Sequence, residues 1–237
     1  MNIRRDSVPT RMALALVAAV MLATAGSFAQ QRPPVPVPQP GVPEIFSIEG
    51  EYVRVAYNNE GFLSLGYRVA NGNVGKEWIL LEVGATVRDN VPNYKLKREH
   101  ISLQTPDGTL IPMPSQSDYL SADLRSQEMQ AAAMPESINY FPPSANRACR
   151  LGFFAPQGSR AMSYNEVELS SNMGCAGRLY FKIPGGLKYG QHFLVVQFAK
   201  SVVKAPFRIV TPEEAKILAK DWKDIRKELE KVFKKGG

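Results

Sequence analysis

Residues 78–87 read WILLEVGATV. Ile79, Leu81, Val83, Ala85 and Val87 recur at every second position, the period of a strand that buries one face. The same texture extends outward in both directions. Upstream, Tyr52–Tyr57 is rich in β-formers, Asn58-Asn59-Glu60-Gly61 supplies turn residues, and Phe62–Val69 resumes the pattern. Asn71-Gly72 reads as a tight turn. Downstream, Leu96–Gln104 leads into Thr105-Pro106-Asp107-Gly108, where Pro sets φ and Gly tolerates positive φ, and Thr109–Ile111 returns. Further strands are expected at Arg150–Phe154, Glu166–Leu169, Gly177–Ile183, His192–Phe198 and Pro206–Val210. Short strands at this spacing, without helical crossovers, predict an antiparallel β-sandwich.

Two segments break the rhythm. Ser117–Met134 reads as one helix inserted between strands, capped by Ser117 and closed by Pro135. It is expected as a lid over an open end of the sandwich or as a functional insertion. The second is the C-terminal segment 211–237. Thr211 is its expected N-cap, Pro212 its first helical residue, and Glu214 completes a capping box. Ala215, Leu218, Trp222, Ile225, Leu229 and Val232 form one apolar seam. A helix of this length reaches about 34 Å, whereas strands of six to eight residues span about 20–26 Å. The first half, through Trp222 and Ile225, is therefore expected to pack on the sandwich. Leu229, Val232 and Phe233 should overhang as a contact for a partner protein or the membrane surface.

The N-terminal end reads as an address. Arg4, Arg5 and Arg11 precede Met12–Ala25, an uncharged apolar run of 14 residues. Ser27-Phe28-Ala29 then offers a signal-peptidase site, so residues 1–29 are expected to be a signal peptide cleaved after Ala29. Residues 30–43 hold six prolines in 14 positions and should form a stiff polyproline spacer. The sandwich occupies residues 44–210. The leader removes three Arg and one Asp, which leaves 26 basic against 21 acidic residues. That modest excess supports solubility and argues against nucleic acid as a partner.

Candidate chemistry is sparse. Export places Cys149 and Cys175 in an oxidising compartment, where an even pair predicts a disulfide joining two parts of the sandwich. Only two histidines exist, His100 and His192. A copper site would need both together with Met113, and no spacing suggests a zinc site, so no metal or cofactor is expected. Glu166 and Glu168 share a strand face and could serve as paired carboxylates, but a solvated outer face accounts for them. Tyr140, Phe141, Tyr164, Tyr180 and Tyr189 could form an aromatic platform for sugar, or simply pack. No nucleophile elbow, zincin helix or phosphate loop occurs, and no catalytic residue is assigned.

Three pieces carry a resemblance. Glu82–Val87, then Ile101–Gly108 ending in Asp-Gly, and later Gly177-Arg178-Leu179-Tyr180-Phe181-Lys182-Ile183-Pro184, stand in one order. This order resembles the telokin-like immunoglobulin-fold domains of uncharacterised secreted bacterial proteins. The insertion from Met113 to Arg147 and the C-terminal helix depart from that pattern. The resemblance implies an immunoglobulin-like sandwich with a binding or accessory role. The expectation is thus an exported, non-enzymatic module of the bacterial envelope that meets an envelope protein or glycan. The alternative is an envelope hydrolase acting on glycan or peptide.

Overall fold

The computed structural model describes residues 45–221. The expected signal peptide, the proline-rich spacer and the contact residues Leu229, Val232 and Phe233 lie outside them.

Strands β1 (Ile45–Gly50), β2 (Val53–Tyr57), β3 (Gly61–Gly66), β4 (Trp78–Val87), β10 (Met173–Lys182) and β8 (Arg147–Arg150) form a six-stranded sheet in the order β1-β2-β3-β4-β10-β8. A second sheet runs β12-β11-β6-β7, from Val202–Ile209, Gly190–Gln197, Ile101–Gln104 and Leu110–Pro112. β5 (Tyr94–Lys97) pairs only with β9 (Glu166–Leu169). β12 lies against β2 and β3, so the two larger sheets stack. Leu63, Leu65, Leu81, Val83 and Phe181 from one sheet, with Leu103, Leu194, Val196, Val203 and Phe207 from the other, share one buried core. All pairings are antiparallel except β8 with β10, which run parallel. The fully antiparallel expectation is corrected at that edge.

β4 spans the residues that its alternation predicts, but it is buried on both faces. Ile79, Leu81 and Val83 face the core. On the opposite side the insertion covers Glu82 and Gly84, while Thr86 Oγ1 donates to Ser170 O at 3.0 Å. Segment 135–141 crosses that face. A Cβ on Gly66 would stand 2.7 Å from Glu136, one on Gly84 2.6 Å from the Phe141 ring, and one on Gly174 2.7 Å from the same ring. Ser64 Oγ donates to Ile138 O at 2.6 Å, and the Glu136 N–H donates to Glu82 Oε2 at 2.8 Å. The insertion is thus a cover for a sheet face rather than a lid over an end.

The expected single helix is two, α2 (Gln116–Ser121) and α3 (Arg125–Ala133), with Ser115 rather than Ser117 as the N-cap of the first. Ala122 is extended between them. Gln157 Nε2 donates to the carbonyls of Tyr119, Leu120 and Ala122, which satisfies groups that the break leaves open. The break turns Tyr119 and α3 onto the same sheet face. The hydroxyls of Tyr119 and Tyr180 both donate to Glu128 Oε1, at 2.6 and 2.9 Å. Burial and that carboxylate push the Tyr119 phenol up to about 12 and raise Tyr180 as well.

Other expectations shift for similar reasons. Val69 lies not in a strand but in a single helical turn, α1 (Arg68–Asn71), so Asn71-Gly72 is no hairpin turn. Val69 and Ala70 are buried, and Asn71 Oδ1 accepts the Val210 N–H at 3.1 Å. Leu151–Phe154 leaves the sheet after β8 and turns Phe153 and Phe154 inward. The Arg98 guanidinium sits 4.7 Å above the Phe154 ring and donates to the carbonyls of Pro114 and Phe153, so burial lowers its pKa.

The capping box at Thr211 is present. Thr211 N–H donates to Glu214 Oε2 at 2.9 Å, and Glu214 N–H to Thr211 Oγ1 at 3.1 Å. The helix α4 (212–221) that follows is exposed. Ile217 and Leu218 retain 61% and 44% of their surface, and Ala215 is exposed, so its described half does not pack on the sandwich as expected. Among the described residues it is anchored by the capping box and the Arg208–Glu214 ion pair, both made through its first turn. Trp222 and Ile225 lie outside the described residues.

Glu82 gives the first prediction. Burial raises its pKa above the ordinary carboxylate value, while the Glu136 N–H and Arg178, 3.9 Å away, pull it down. A folded value above the unfolded one means that the folded chain holds this proton more tightly. Stability from this group is full below the unfolded value and is lost as pH rises through the folded one. Glu82→Gln should therefore gain on the wild type between pH 4 and pH 7 in urea melts. A smaller relative stability at pH 7 than at pH 4 would contradict the assignment.

Candidate functional site

Three connections meet at one end of the sandwich: the β2–β3 turn, the β4–β5 loop and the β11–β12 turn. They enclose a cavity of about 340 Å³. Asn58 builds its floor. Its Oδ1 accepts from the N–H groups of Glu60 (2.8 Å) and Gly61 (2.9 Å), the local bond that makes Asn a turn former. Its Nδ2 donates to Ser201 Oγ at 2.9 Å, which ties the first turn to the third. Ser201 Oγ in turn donates to Glu60 Oε2 at 2.6 Å, and the Lys200 N–H lies 3.1 Å from both Glu60 oxygens. Gly61 has no alternative, since a Cβ there would lie 2.1 Å from the Phe198 ring.

The middle loop completes the wall. Asn90 holds φ 64°, a left-handed value that Asn tolerates better than most residues. Asn93 Nδ2 donates to Glu168 Oε1 at 2.8 Å. Tyr94 also lines the cavity, and its hydroxyl is engaged with His100 Nδ1 (2.7 Å) and Gln197 O (3.1 Å). Burial pushes that phenol up to about 12 and lowers the His100 pKa, so both are neutral at pH 7. Val91 and Pro92 add apolar surface. Asn59 and Asn90 are exposed residues of the lining, and their side-chain amides make no hydrogen bond among the described residues.

The cavity offers room and polar contacts that a small molecule could use. Its one carboxylate is occupied by three hydrogen bonds, and its histidine stands behind Tyr94 with its Nδ1 engaged. Besides the Lys200 ammonium and one lone pair of Glu60, the polar groups left open are amides, which donate and accept but do not transfer protons at neutral pH.

A second hollow of about 220 Å³ lies at the opposite end of the second sheet, between the β6–β7 turn and Pro184-Gly186. His192 lies beneath its floor, fully buried, with Nδ1 3.1 Å from Gly190 O and Nε2 without a partner among the described residues. Burial lowers its pKa. At the mouth, bonds from Thr105 and Thr109 hold Asp107 down at about 2, with Lys188 3.9 Å away. Because Nε2 is sealed from solvent, this hollow offers a ligand only its rim.

The residues singled out from sequence scatter. His100 and His192 flank opposite ends of the β6–β11 pair, since Ile101 pairs with Val196, and Met113 is buried elsewhere. Among the described residues no three His, Cys, Asp or Glu side chains come together. Glu166 and Glu168 face outward opposite Lys97 and Lys95, with Lys95 Nζ 2.9 Å from Glu166. Tyr180 is buried under α2 and α3 and Phe141 lies in the glycine trough, whereas Tyr140, Tyr164 and Tyr189 are separately exposed, so the five form no platform. Cys149 and Cys175 form the expected disulfide, with Cα atoms 4.1 Å apart. They are direct partners of neighbouring strands in one sheet rather than a link between distant parts. Asn59 and Glu60 were legible only as turn residues, and Asn90, Asn93 and Lys200 fall between expected strands without any reading of their own. The one available signal was the repetition of Asn in two connections.

Asn58 tests the architecture. Asn58→Ala removes the acceptor for two N–H groups and the donor to Ser201, with an expected loss of roughly 1–2 kcal/mol in denaturant melts. Faster hydrogen exchange should be confined to the turns at 58–61 and 199–201. Unchanged exchange there would show that the floor is held by something else.

Searches of protein-family models, of curated proteins and of solved structures find no match for this chain.

Proposed function

We propose that this chain is an exported, non-enzymatic binding or accessory module of the bacterial cell envelope, an immunoglobulin-like sandwich that holds its ligand among the loops at one end. The observation that carries the reading is the cavity with free Asn59 and Asn90 amides, anchored by Asn58 and Ser201. Pre-organised loops on a rigid sandwich are a common way to build a binding site. The Cys149–Cys175 disulfide supports an oxidising compartment. No described helix is long and apolar enough to cross a membrane. The resemblance to telokin-like immunoglobulin-fold domains supports the same role.

The test is sedimentation with washed envelopes of the producing bacterium. Wild-type chain should pellet with them, and the double variant Asn59→Ala, Asn90→Gly should remain in the supernatant. Glycine accepts the φ of residue 90, so the backbone is preserved. Equal behaviour of the two proteins, or no retention of either, removes the reading. Release of glycan or peptide fragments by the wild type would favour the alternative, an envelope hydrolase.

A further inference from the structure

We infer that the loop-end cavity takes a neutral saccharide unit with adjacent free hydroxyls, an assignment that rests on the binding reading above.

Size is the first argument. A cavity of about 340 Å³ stands at the small end of the roughly 300–1,000 Å³ typical of ligand pockets. It admits one sugar ring with part of a neighbour, and not a folded partner surface.

Charge is the second. Glu60 and Lys200 are the acidic and basic side chains of the lining, opposite in formal sign. A phosphorylated or strongly acidic ligand would meet one cation beside one anion, so the cavity gives no net attraction to either sign.

Hydrogen-bonding pattern is the third. A carboxamide presents one acceptor and one donor group side by side. Two hydroxyls on adjacent ring carbons match it, one donating to the amide oxygen while the other accepts from the NH₂. Asn59 and Asn90 line the cavity with amides that make no hydrogen bond among the described residues, and the side-chain oxygen of Asn93 accepts none there although its NH₂ is occupied. The Lys200 ammonium and the remaining lone pairs of Glu60 extend the same complementarity. Uncharged hydroxyl groups satisfy such a set without stranding a buried charge.

Apolar surface is the fourth. The Tyr94 ring, Val91 and Pro92 line the wall. The Tyr94 ring is held by Phe198 at 5.7 Å and by His100 at 5.7 Å, so it does not need to order on binding. A rigid aromatic face receives the C–H side of a sugar ring at little entropic cost. A peptide would instead seek an open strand edge or a long apolar groove, and neither forms this cavity.

Periodate gives the direct test, because it cleaves the bond between carbons that carry adjacent hydroxyls. Envelopes treated with periodate and then quenched should no longer pellet the chain, whereas mock-treated envelopes should. In parallel, maltotriose and a mannose trisaccharide are titrated into the isotopically labelled full chain, with inositol hexakisphosphate and trialanine as controls. At least one saccharide should shift the side-chain amide signals of Asn59 and Asn90. The Asn59→Ala, Asn90→Gly variant should weaken that saccharide by roughly tenfold or more, the loss expected for two amide contacts, with an unchanged unfolding midpoint.

Retention that survives periodate overturns the saccharide assignment and leaves the binding reading standing. So does a shift of the same amides by the phosphate or the peptide alone. Failure of untreated envelopes to retain the chain overturns the binding reading itself, and a saccharide that still shifts the amides would then keep only the ligand class.

Discussion

Replacing Cys149 and Cys175 together by alanine is expected to lower stability by about 3–4 kcal/mol, the chain-entropy value for a loop of this length. The cross-link closes a sequence separation of 26 residues. For a domain of this size each kcal/mol corresponds to roughly 2–4 °C, so the unfolding midpoint should fall by about 10 °C. The origin is mostly the unfolded chain, which regains the freedom that the bridge denied it. The native state should keep its pairing, since Leu151 N–H still donates to Ala176 O at 2.9 Å and β8 stays hydrogen-bonded to β10. The double variant and reduced wild type should therefore melt together. If the midpoint of the double variant matched that of oxidised wild type, the bridge would contribute nothing to stability.

The second large effect is expected at Gly84. Gly84→Leu should cost about 3 kcal/mol, the upper range for forcing a side chain into filled space. Its Cβ alone would lie 2.3 Å from Ser64 Oγ and 2.6 Å from the Phe141 ring. Ser64 is fully buried and bonded to Ile138 O, so it cannot yield without releasing segment 135–141. That segment should then become the first site cut in limited proteolysis. Gly50→Ala is the matched control, because the nearest side-chain atoms to its Cβ are 3.8 Å away. Equal protease resistance of the Gly84 variant and wild type would mean that the segment is not seated by the glycine trough.

Particular residues show how much was legible in advance. β4 and β9 begin and end where their alternation predicts. The pairing of Cys149 with Cys175 followed from there being no other candidate. The Thr211–Glu214 capping box lies within four consecutive residues and formed as expected. Failures came where distant chain decided the outcome. The even-numbered face of β4, with Glu82 and Gly84, looks solvated by pattern, yet the insertion buries it. The first described turns of α4 begin the apolar seam expected of a packed helix, yet its members Ala215 and Leu218 are exposed.

The candidate site divides in the same way. Asn58, Asn59 and Glu60 announce a turn, because short polar side chains bond their own backbone within three residues. What that turn faces is not written there. Asn58 meets Ser201 across 143 residues, and Ser64 meets Ile138 across 74. Sequence by itself determined the β character, the turns at 58–61 and 105–108, the cap and the disulfide, since each rests on sterics and hydrogen bonds between near neighbours or on a choice of one. Only the tertiary structure decided which faces are covered and which three loops share a cavity. Those outcomes depend on how two stacked sheets bring remote turns to one end, and no local period in the chain encodes that.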